Sequence, residues 1–447
     1  MFNFFRVLQG NEPIYVCLLI FLILSTLIKS LVSNNNIQIF SPIFFISVVY
    51  LVYTVIGPLV FLNLDVITFP KGFMRKYYEP AWLGSLLSLI AINIGYCITF
   101  KKVRPIKLKP LDISRKLFFA GVIINLIGLS LYCISNPSRF FAQLNPFAVA
   151  SFGESTNVGG FVNYLVLSIN FLITGNGLLM LSIRKIRPFN FKTILFLFFF
   201  LLTLSLYLSI GFRFRILILL VSLFVAYYIK KNSRPNFIYM FTFLFIIIMF
   251  LGVIGKLRTY SSGLDLSKIN DNQESSIVTG LRDTNTFQFS GVVIATVPKR
   301  LDYVYFDIII STLVFPIPKK LYPNKKTDEH IRNPIRIYPT LSSINAHNWA
   351  AMLFFAEWYT AFGWFGVIFV SLLLGFWYRR LWEWLKQYRQ DEFKVLIYAI
   401  CLSYLYIIIS RGYFPFIVMN SFFIILPSVI ALFCRRIKFI INNEASN

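Results

Sequence analysis

Long, continuously apolar runs recur along this chain, and they constrain its fold more than any other feature. Hydrophobic residues make up 57% of the 447 residues and charged residues only 14%, which is more apolar side chain than a soluble protein could bury. A helix that crosses a bilayer needs roughly 20 mostly apolar residues. A transmembrane β-barrel would instead require alternating apolar and polar residues. We therefore predict an all-α polytopic membrane protein.

The apolar runs divide the chain into about eleven predicted transmembrane helices, within a range of roughly ten to fourteen. The first run follows a weak basic region and has no small-residue cleavage site, so we interpret it as a retained span. We find no internal repeat and no soluble domain, so residues 1–447 are predicted to form a single integral membrane domain. The predicted spans lie near residues 13–31, 38–62, 81–100, 117–134, 161–182, 193–209, 216–229, 237–254, 354–378, 395–410 and 414–433.

Clusters of lysine and arginine follow alternate predicted spans and indicate the side of each loop. They lie at residues 101–109, 184–192, 230–234, 379–390 and 435–438. Because cytoplasmic loops collect Lys and Arg, we predict that this side and the C-terminus are cytoplasmic. An odd number of spans then puts the N-terminus outside. The largest outer loop covers residues 255–353, and we predict that its segment 303–323 is an interfacial or re-entrant piece that partly covers a site.

The cytoplasmic clusters account for most of the net charge of +25, so we expect no nucleic-acid partner. Several arginines, however, lie on the outer side close to the membrane. Each arginine alone could extend toward lipid phosphates. Basic groups on three separate connections, however, indicate a shared anionic ligand. A lipid-linked diphosphate fits such a site. If the turn around Arg213 and Arg215 is extended, the side chains of these two arginines point to roughly one side. The arginines are Arg213, Arg215, Arg258, Arg282 and Arg411.

The segment that follows the large loop contains His347, one of only two histidines in the chain. Histidine can accept a proton near neutral pH, so His347 is a candidate general base, with a solvated surface residue as the simpler alternative. Asn348 could cap the helix that follows. A helix from Asn348 to Tyr378 would extend about 45 Å at about 1.5 Å per residue. The hydrocarbon core is only about 30 Å thick, so this helix must stand above the membrane or bend near Gly363.

Two more residues of this segment are candidates for the site. Glu357 lies nearly three turns further along and is a candidate partner of His347 or a structural anchor. Tyr359 could stack on a sugar, with an interfacial aromatic belt as the alternative. The chain has no phosphate-binding loop, no glycine-rich dinucleotide motif and no DxD pair in an outer loop. Its cysteines lack metal-binding spacing, so we expect neither a cofactor nor a metal.

Four segments resemble bacterial O-antigen polymerases of the Wzy type and the related O-antigen ligases. Two of them resemble the family's HN…E…FG..G segment and its G-x-R element, namely "AHNWAAMLFFAEWYTAFGWFGVIF" and "LSIGFRFRILILL". The other two resemble the proline-and-lysine stretch of the polymerases' outer loop and their late arginine–glycine hairpin, namely "PIPKKLYPNKK" and "SRGYFPF". The predicted topology agrees with this family over nearly the whole chain.

The resemblance implies a metal-independent glycosyltransferase of the GT-C-like fold in the bacterial inner membrane. Such an enzyme transfers a glycan from an undecaprenyl-diphosphate carrier to another lipid-linked repeat unit, with inversion at the anomeric carbon, and makes a surface polysaccharide such as O-antigen or capsule. Its partners would be the lipid-linked donor and acceptor, membrane lipids and a chain-length regulator.

The resemblance also implies roles for individual residues. His347 corresponds to the family's loop histidine and would be the base, while Arg213 and Arg411 correspond to its diphosphate-binding arginines. Glu357 matches the acidic position of the segment. The charge pattern alone supports the remaining arginines, and Asn348 and Tyr359 are predicted substrate contacts.

Three other functions remain open. An O-antigen ligase shares the histidine and the arginines but transfers glycan to a lipid A core, and the longer outer loop favours the polymerase. A transporter or flippase of lipid-linked glycans often shows repeated halves and charges at mid-membrane, whereas here the charges lie at one face. A membrane acyltransferase would need its histidine on the cytoplasmic side.

Overall fold

The computed structural model describes residues 8–63, 75–98, 114–147, 162–183, 190–211, 213–259, 263–265, 280–317, 321–322 and 351–444. This part of the chain is predominantly helical, with one short antiparallel strand pair, β1 (Arg258–Thr259) and β2 (Gly263–Leu264). The α-helices are α1 (Glu12–Val32), α2 (Pro42–Tyr50), α3 (Gly57–Asn63), α4 (Tyr78–Cys97), α5 (Ser114–Ser135), α6 (Pro137–Gln143), α7 (Val162–Leu167), α8 (Phe171–Ser182), α9 (Phe191–Ile210), α10 (Arg213–Lys231), α11 (Phe237–Leu257), α12 (Thr286–Thr296), α13 (Asp307–Val314), α14 (Phe354–Gln387), α15 (Glu392–Ser410) and α16 (Phe414–Glu444). Short 3₁₀ and π-helical pieces are Gln38–Phe40, Leu51–Ile56 (π), Ser168–Asn170 and Arg282–Asn285.

Within the described residues, nine helical segments are long and apolar enough to cross a membrane. They confirm the predicted multi-pass helical protein, because a span in hydrocarbon must satisfy its backbone hydrogen bonds internally. The two other predicted spans, near 216–229 and 237–254, coincide with α10 and α11. The nine segments are Glu12–Val32, Pro42–Leu62, Tyr78–Cys97, Ser114–Ser135, Tyr164–Ser182, Phe191–Ile210, Phe354–Gln387, Glu392–Ser410 and Phe414–Cys434.

Helices α4 and α14 pack closely against each other. A side chain at Gly95 would collide with the carbonyl oxygen of Leu372, and one at Gly375 would collide with that of Ile92. Small residues let membrane helices approach closely, since van der Waals packing and hydrogen bonds replace the hydrophobic effect there. A hydrogen bond of 2.7 Å between the Ser88 and Ser371 hydroxyls joins the same two helices.

Hydrogen bonds between loops identify the face at which the basic connections meet. The Arg234 guanidinium donates to the carbonyl oxygens of Leu31 and Ser33, both at 2.8 Å. Lys230 forms an ion pair with Glu392 at 2.9 Å. The end of α1, the end of α10 and the start of α15 therefore share the face that the basic clusters mark as cytoplasmic.

The start of α1 lies at the opposite face, which the charge pattern predicts to be the outer one. The Asn11 side chain donates to the Glu79 carboxylate at 3.2 Å, and Glu79 lies in the first turn of α4. Because α1 ends beside the basic connection at 230–234, this contact supports an N-terminus on the outer side. The helix α15 runs from the cytoplasmic face to the outer face and ends next to Arg411.

Candidate functional site

His347 and Asn348 lie outside the described residues, but the chain just after them is described. The predicted helix from Asn348 is wrong at its start, because α14 begins only at Phe354. The backbone before it has other partners. Met352 forms an antiparallel bridge with Gly412, and the Leu353 N–H donates to the Ser290 hydroxyl at 2.8 Å.

The bridge joins two segments that lie far apart in the sequence. The Gly412 N–H donates to the carbonyl oxygen of Met352 at 2.5 Å. A Cβ atom at Gly412 would lie 2.9 Å from the carbonyl oxygen of Leu353 and 3.1 Å from the Cβ of Glu357, so only glycine permits this approach. The arginine–glycine hairpin is therefore packed against the segment that follows His347.

Glu357 also contacts the arginine–glycine hairpin, at the residue where α16 begins. Its side chain is fully buried, and its Oε1 accepts a hydrogen bond of 2.6 Å from the backbone N–H of Phe414. Phe414 is the first residue of α16, where backbone N–H groups lack a helical partner. The Trp358 and Phe414 rings pack edge to face at 5.2 Å. Glu357 thus acts as a long-range cap for the last helix, which fits the anchor role.

The helix α14 is broken where the length argument places a bend. Phe362 (φ −137°, ψ 20°) and Gly363 (φ 61°, ψ −147°) leave the helical region. The carbonyl oxygens of Thr360 and Ala361, near the end of the first half, accept hydrogen bonds from the N–H groups of Val304 (2.9 Å) and Tyr305 (3.1 Å). Backbone groups of the large loop thus bond to the end of the first half of α14, and of the two predicted alternatives the structure shows the bend near Gly363.

Tyr359 lies at this break and packs inside the protein. Its hydroxyl donates to the carbonyl oxygen of Val297 at 3.3 Å. Its ring packs edge to face against Trp364 at 4.8 Å and against Tyr303 at 6.3 Å. Tyr359 therefore packs between the broken helix α14 and the large loop. Whether it also contacts substrate stays a prediction.

The segment 303–323 is described over 303–317 and at 321–322. It forms the short helix α13, whose Leu313 side chain is 73% exposed, whereas Ile308 is fully buried. Such one-sided apolar exposure is typical of a helix that lies at a membrane interface. The ring of Phe315 packs edge to face against Tyr413, next to the arginine–glycine hairpin.

Arg411 is a partly exposed side chain at the outer end of α15. Its guanidinium lies 3.9 Å from the carboxylate of Asp283, and both side chains retain access to solvent, 37% and 23%. Asp283 belongs to the 3₁₀ turn that also contains Arg282. The sequence reasoning missed Asp283, although an acidic residue directly beside a predicted site arginine was an available signal.

The structure separates Arg213 from Arg215. The chain turns at Gly211 (φ 80°) and α10 begins at Arg213 itself, so the expectation of an extended turn with both side chains on one side is wrong. In an α-helix, side chains two positions apart in the sequence diverge by about 200° around the helix axis. Both side chains are buried.

The two arginines therefore meet different neighbours. Arg213 lies against Gly255, where a Cβ would come within 2.7 Å of its guanidinium, and it lies within electrostatic range of Tyr406. Arg411 is within electrostatic range of the same Tyr406 hydroxyl. Arg215 instead interacts electrostatically with Tyr207 and Tyr132. Arg213 and Arg411 thus have the Tyr406 hydroxyl as a common neighbour, whereas Tyr132 and Tyr207 are the neighbours identified for Arg215.

The two remaining predicted arginines are described only in their backbone. Arg258 lies in β1 and pairs with Leu264, and Arg282 lies in the 3₁₀ turn beside Asp283. Among the residues that the structure describes, no three His, Cys, Asp or Glu side chains are grouped as ligands for a metal ion.

Comparison with known proteins gives one match. The profile of a family described as O-antigen polysaccharide polymerase Wzy matches residues 1–442. Neither the curated proteins nor the solved structures contain a match to this chain.

Proposed function

Because the chain belongs to the O-antigen polysaccharide polymerase Wzy family, we propose that it joins undecaprenyl-diphosphate-linked oligosaccharide repeat units into a surface polysaccharide, O-antigen or capsule. The reaction takes place at the outer face of the bacterial inner membrane. The donor and the acceptor are both lipid-linked, and a chain-length regulator is a further proposed partner. We also propose that residues 1–447 form one domain with a GT-C-like fold.

The observation that supports the proposal is that Arg213, at the start of α10, and Arg411, directly after α15, both lie within electrostatic range of the Tyr406 hydroxyl. Arginines bind phosphate oxygens through paired N–H groups, and two of them beside one ligand can stabilise the charge of a departing diphosphate without a metal. A buried arginine at membrane depth is costly and is kept for a function. The partly exposed Arg411 gives this pair access to a ligand.

His347 supplies the base in this proposal. It precedes Met352 by five residues, a stretch of chain that spans at most about 18 Å, and Met352 is bonded to the residue after Arg411. The acceptor hydroxyl loses its proton to His347 as its oxygen attacks the anomeric carbon of the donor. The bond from that carbon to the diphosphate breaks, and the electron pair leaves with the undecaprenyl diphosphate. A single attack of this kind inverts the anomeric centre.

The test uses the purified full-length protein in lipid nanodiscs with a synthetic undecaprenyl-diphosphate repeat unit. We expect a ladder of products that persists with EDTA and is lost in His347→Ala and Arg411→Ala. Lys299→Ala is a control, because it removes an exposed positive charge from the same large loop, and it should keep the ladder.

Three outcomes would overturn the proposal in different ways. A ladder that persists in His347→Ala removes the catalytic role of this residue. Glycan transfer only after addition of lipid A core indicates a ligase. Binding of the lipid without any bond formation, with either acceptor, indicates a transporter.

A further inference from the structure

A pair of tyrosine hydroxyls lies beside the Arg411–Asp283 ion pair. The hydroxyls of Tyr53 and Tyr406 are 2.7 Å apart, and their rings pack edge to face at 5.8 Å. Tyr53 is buried, and Tyr406 is partly exposed. Both hydroxyls lie within electrostatic range of Asp283 and Arg411. The four side chains therefore form one polar group, to which Arg213 also contributes through Tyr406.

Two local features of the backbone bring this group together. Tyr53 lies in the π-helical turn Leu51–Ile56, and such turns interrupt helices most often at functional sites. The helix α3 follows directly, and its Gly57 has no side chain, so Thr284 rests on its backbone. Thr284 also donates to the carbonyl oxygen of Leu281 at 2.7 Å, which fixes the 3₁₀ turn. The 3₁₀ turn that contains Asp283 therefore packs against Gly57, directly after the π-helical turn that contains Tyr53.

The chemistry of this group differs from that of a diphosphate site. A carboxylate repels phosphate oxygens, whereas it accepts hydrogen bonds from neutral hydroxyls. A pair of tyrosine hydroxyls has two protons, and their mutual hydrogen bond uses one of them. When Tyr53 donates to Tyr406, the Tyr406 proton can be donated to a ligand. Carboxylate and phenol groups together suit a ligand that carries several hydroxyls.

We propose that Asp283, Tyr406 and Tyr53 form a subsite for the sugar that is bonded directly to the diphosphate, with Asp283 and Tyr406 contacting its hydroxyls and Tyr53 positioning Tyr406. This inference rests on the proposed function, because the diphosphate must lie on Arg411. The carboxylate of Asp283 is 3.9 Å from that guanidinium. A sugar on a phosphate held by Arg411 therefore lies next to the carboxylate. The arginines bind the part that all undecaprenyl diphosphates share, and this subsite distinguishes lipids that carry a glycan.

The test measures two affinities of the full-length protein in nanodiscs, one for undecaprenyl-diphosphate oligosaccharide and one for undecaprenyl diphosphate without sugar. We expect Asp283→Asn and Tyr406→Phe to weaken binding of the glycan lipid about threefold to tenfold, the factor for one or two lost hydrogen bonds. Neither variant should weaken binding of the bare lipid. Asp283→Asn should leave it equal or tighter, because a negative charge beside Arg411 is removed.

Two variants calibrate the result. Tyr50→Phe is the matched control, since Tyr50 is also a buried tyrosine whose hydroxyl bonds to another hydroxyl, that of Ser88 at 2.8 Å, on a helix adjoining the π-helical turn. It should change neither affinity. Arg411→Ala should weaken both lipids. Equal losses for both lipids in Asp283→Asn and Tyr406→Phe would overturn the subsite, as would glycan-lipid affinities within twofold of the wild type.

The same measurement separates this inference from the proposed function, since binding requires no polymerisation. If the wild type prefers the glycan lipid but forms no polymer, the polymerase proposal fails and the subsite stands. If the wild type binds both lipids equally while the ladder forms, the subsite fails and the polymerase proposal stands.

Discussion

The Oε1 atom of Glu357 and the backbone nitrogen of Phe414 are 2.6 Å apart, and this hydrogen bond joins the first turns of α14 and α16. Arg411 lies three residues before Phe414, so the position of the arginine depends on this bond. The Glu357 side chain is fully buried, so loss of this hydrogen bond would leave a backbone N–H without a partner where water does not replace it.

Replacement of Glu357 distinguishes an anchor from a catalytic acid. Glu357→Ala leaves the Phe414 N–H without its acceptor and should lower the free energy of unfolding by about 1–3 kcal/mol. Glu357→Gln keeps an oxygen acceptor and should lose less stability. Thermal unfolding in nanodiscs measures this order. Polymerisation should follow stability and persist in Glu357→Gln; complete loss of activity in a stably folded Glu357→Gln would show a catalytic role instead.

Gly363 should tolerate no other residue. Its φ of 61° with ψ of −147° is a combination that glycine alone adopts readily, so Gly363→Ala should cost about 1–3 kcal/mol of unfolding free energy. Gly363→Asn is the informative comparison. Asparagine is tolerated in the left-handed helical region, but this ψ lies outside it, so asparagine should not rescue stability. A Gly363→Ala variant with an unchanged unfolding midpoint would contradict the observed break.

The arginines should fall into two groups in double-mutant cycles. Arg213 and Arg411 both interact with Tyr406, so their alanine variants should be non-additive in kcat/KM, with a coupling of about 0.5–3 kcal/mol. Arg215 interacts with Tyr132 and Tyr207 instead. The cycle of Arg215→Ala with Arg411→Ala should therefore be additive. Strong coupling in this second cycle would place Arg215 in the same site.

The orientation of the first helix can be tested by cysteine labelling. In a cysteine-free background, Gln9→Cys should react with a membrane-impermeant maleimide from outside the inner membrane, because the start of α1 lies at the face of Glu79. Asn232→Cys should react only after permeabilisation, because Asn232 lies beside the basic cytoplasmic connection. Labelling of both positions from outside would contradict their placement on opposite sides, and labelling of Asn232→Cys alone would indicate the reverse topology.

Local features could be predicted from the sequence alone, and contacts between distant segments could not. Helix positions followed from the length of the apolar runs, and the break near Gly363 followed from a helix too long for the bilayer. The match to the Wzy family confirms the resemblance read from four short motifs. Thr284, in contrast, packs against Gly57, a residue more than two hundred positions away in the sequence. No hydropathy pattern indicates which turns will be in contact.

The arginines show the same limit. The predicted topology singled out Arg213 and Arg215 together, because both are basic residues predicted to lie on the non-cytoplasmic side, where basic residues are less common. Their directions depend on whether the chain is extended or helical at that point, and α10 already begins at Arg213. Asp283 was hidden in a long loop, where the sequence carries little information on position.

The hydrogen-bonded bridge between Met352 and Gly412 joins the two ends of a helix hairpin made of α14 and α15. Bilayers differ in thickness, and helices respond by tilting. With their outer ends tied together, these two helices must tilt as a unit, and any mismatch appears at the cytoplasmic end, where α14 continues to Gln387. The bridge therefore keeps the distance from Arg411 to the segment that follows His347 constant when the lipid composition changes. We expect the protein to keep its activity in membranes of different thickness.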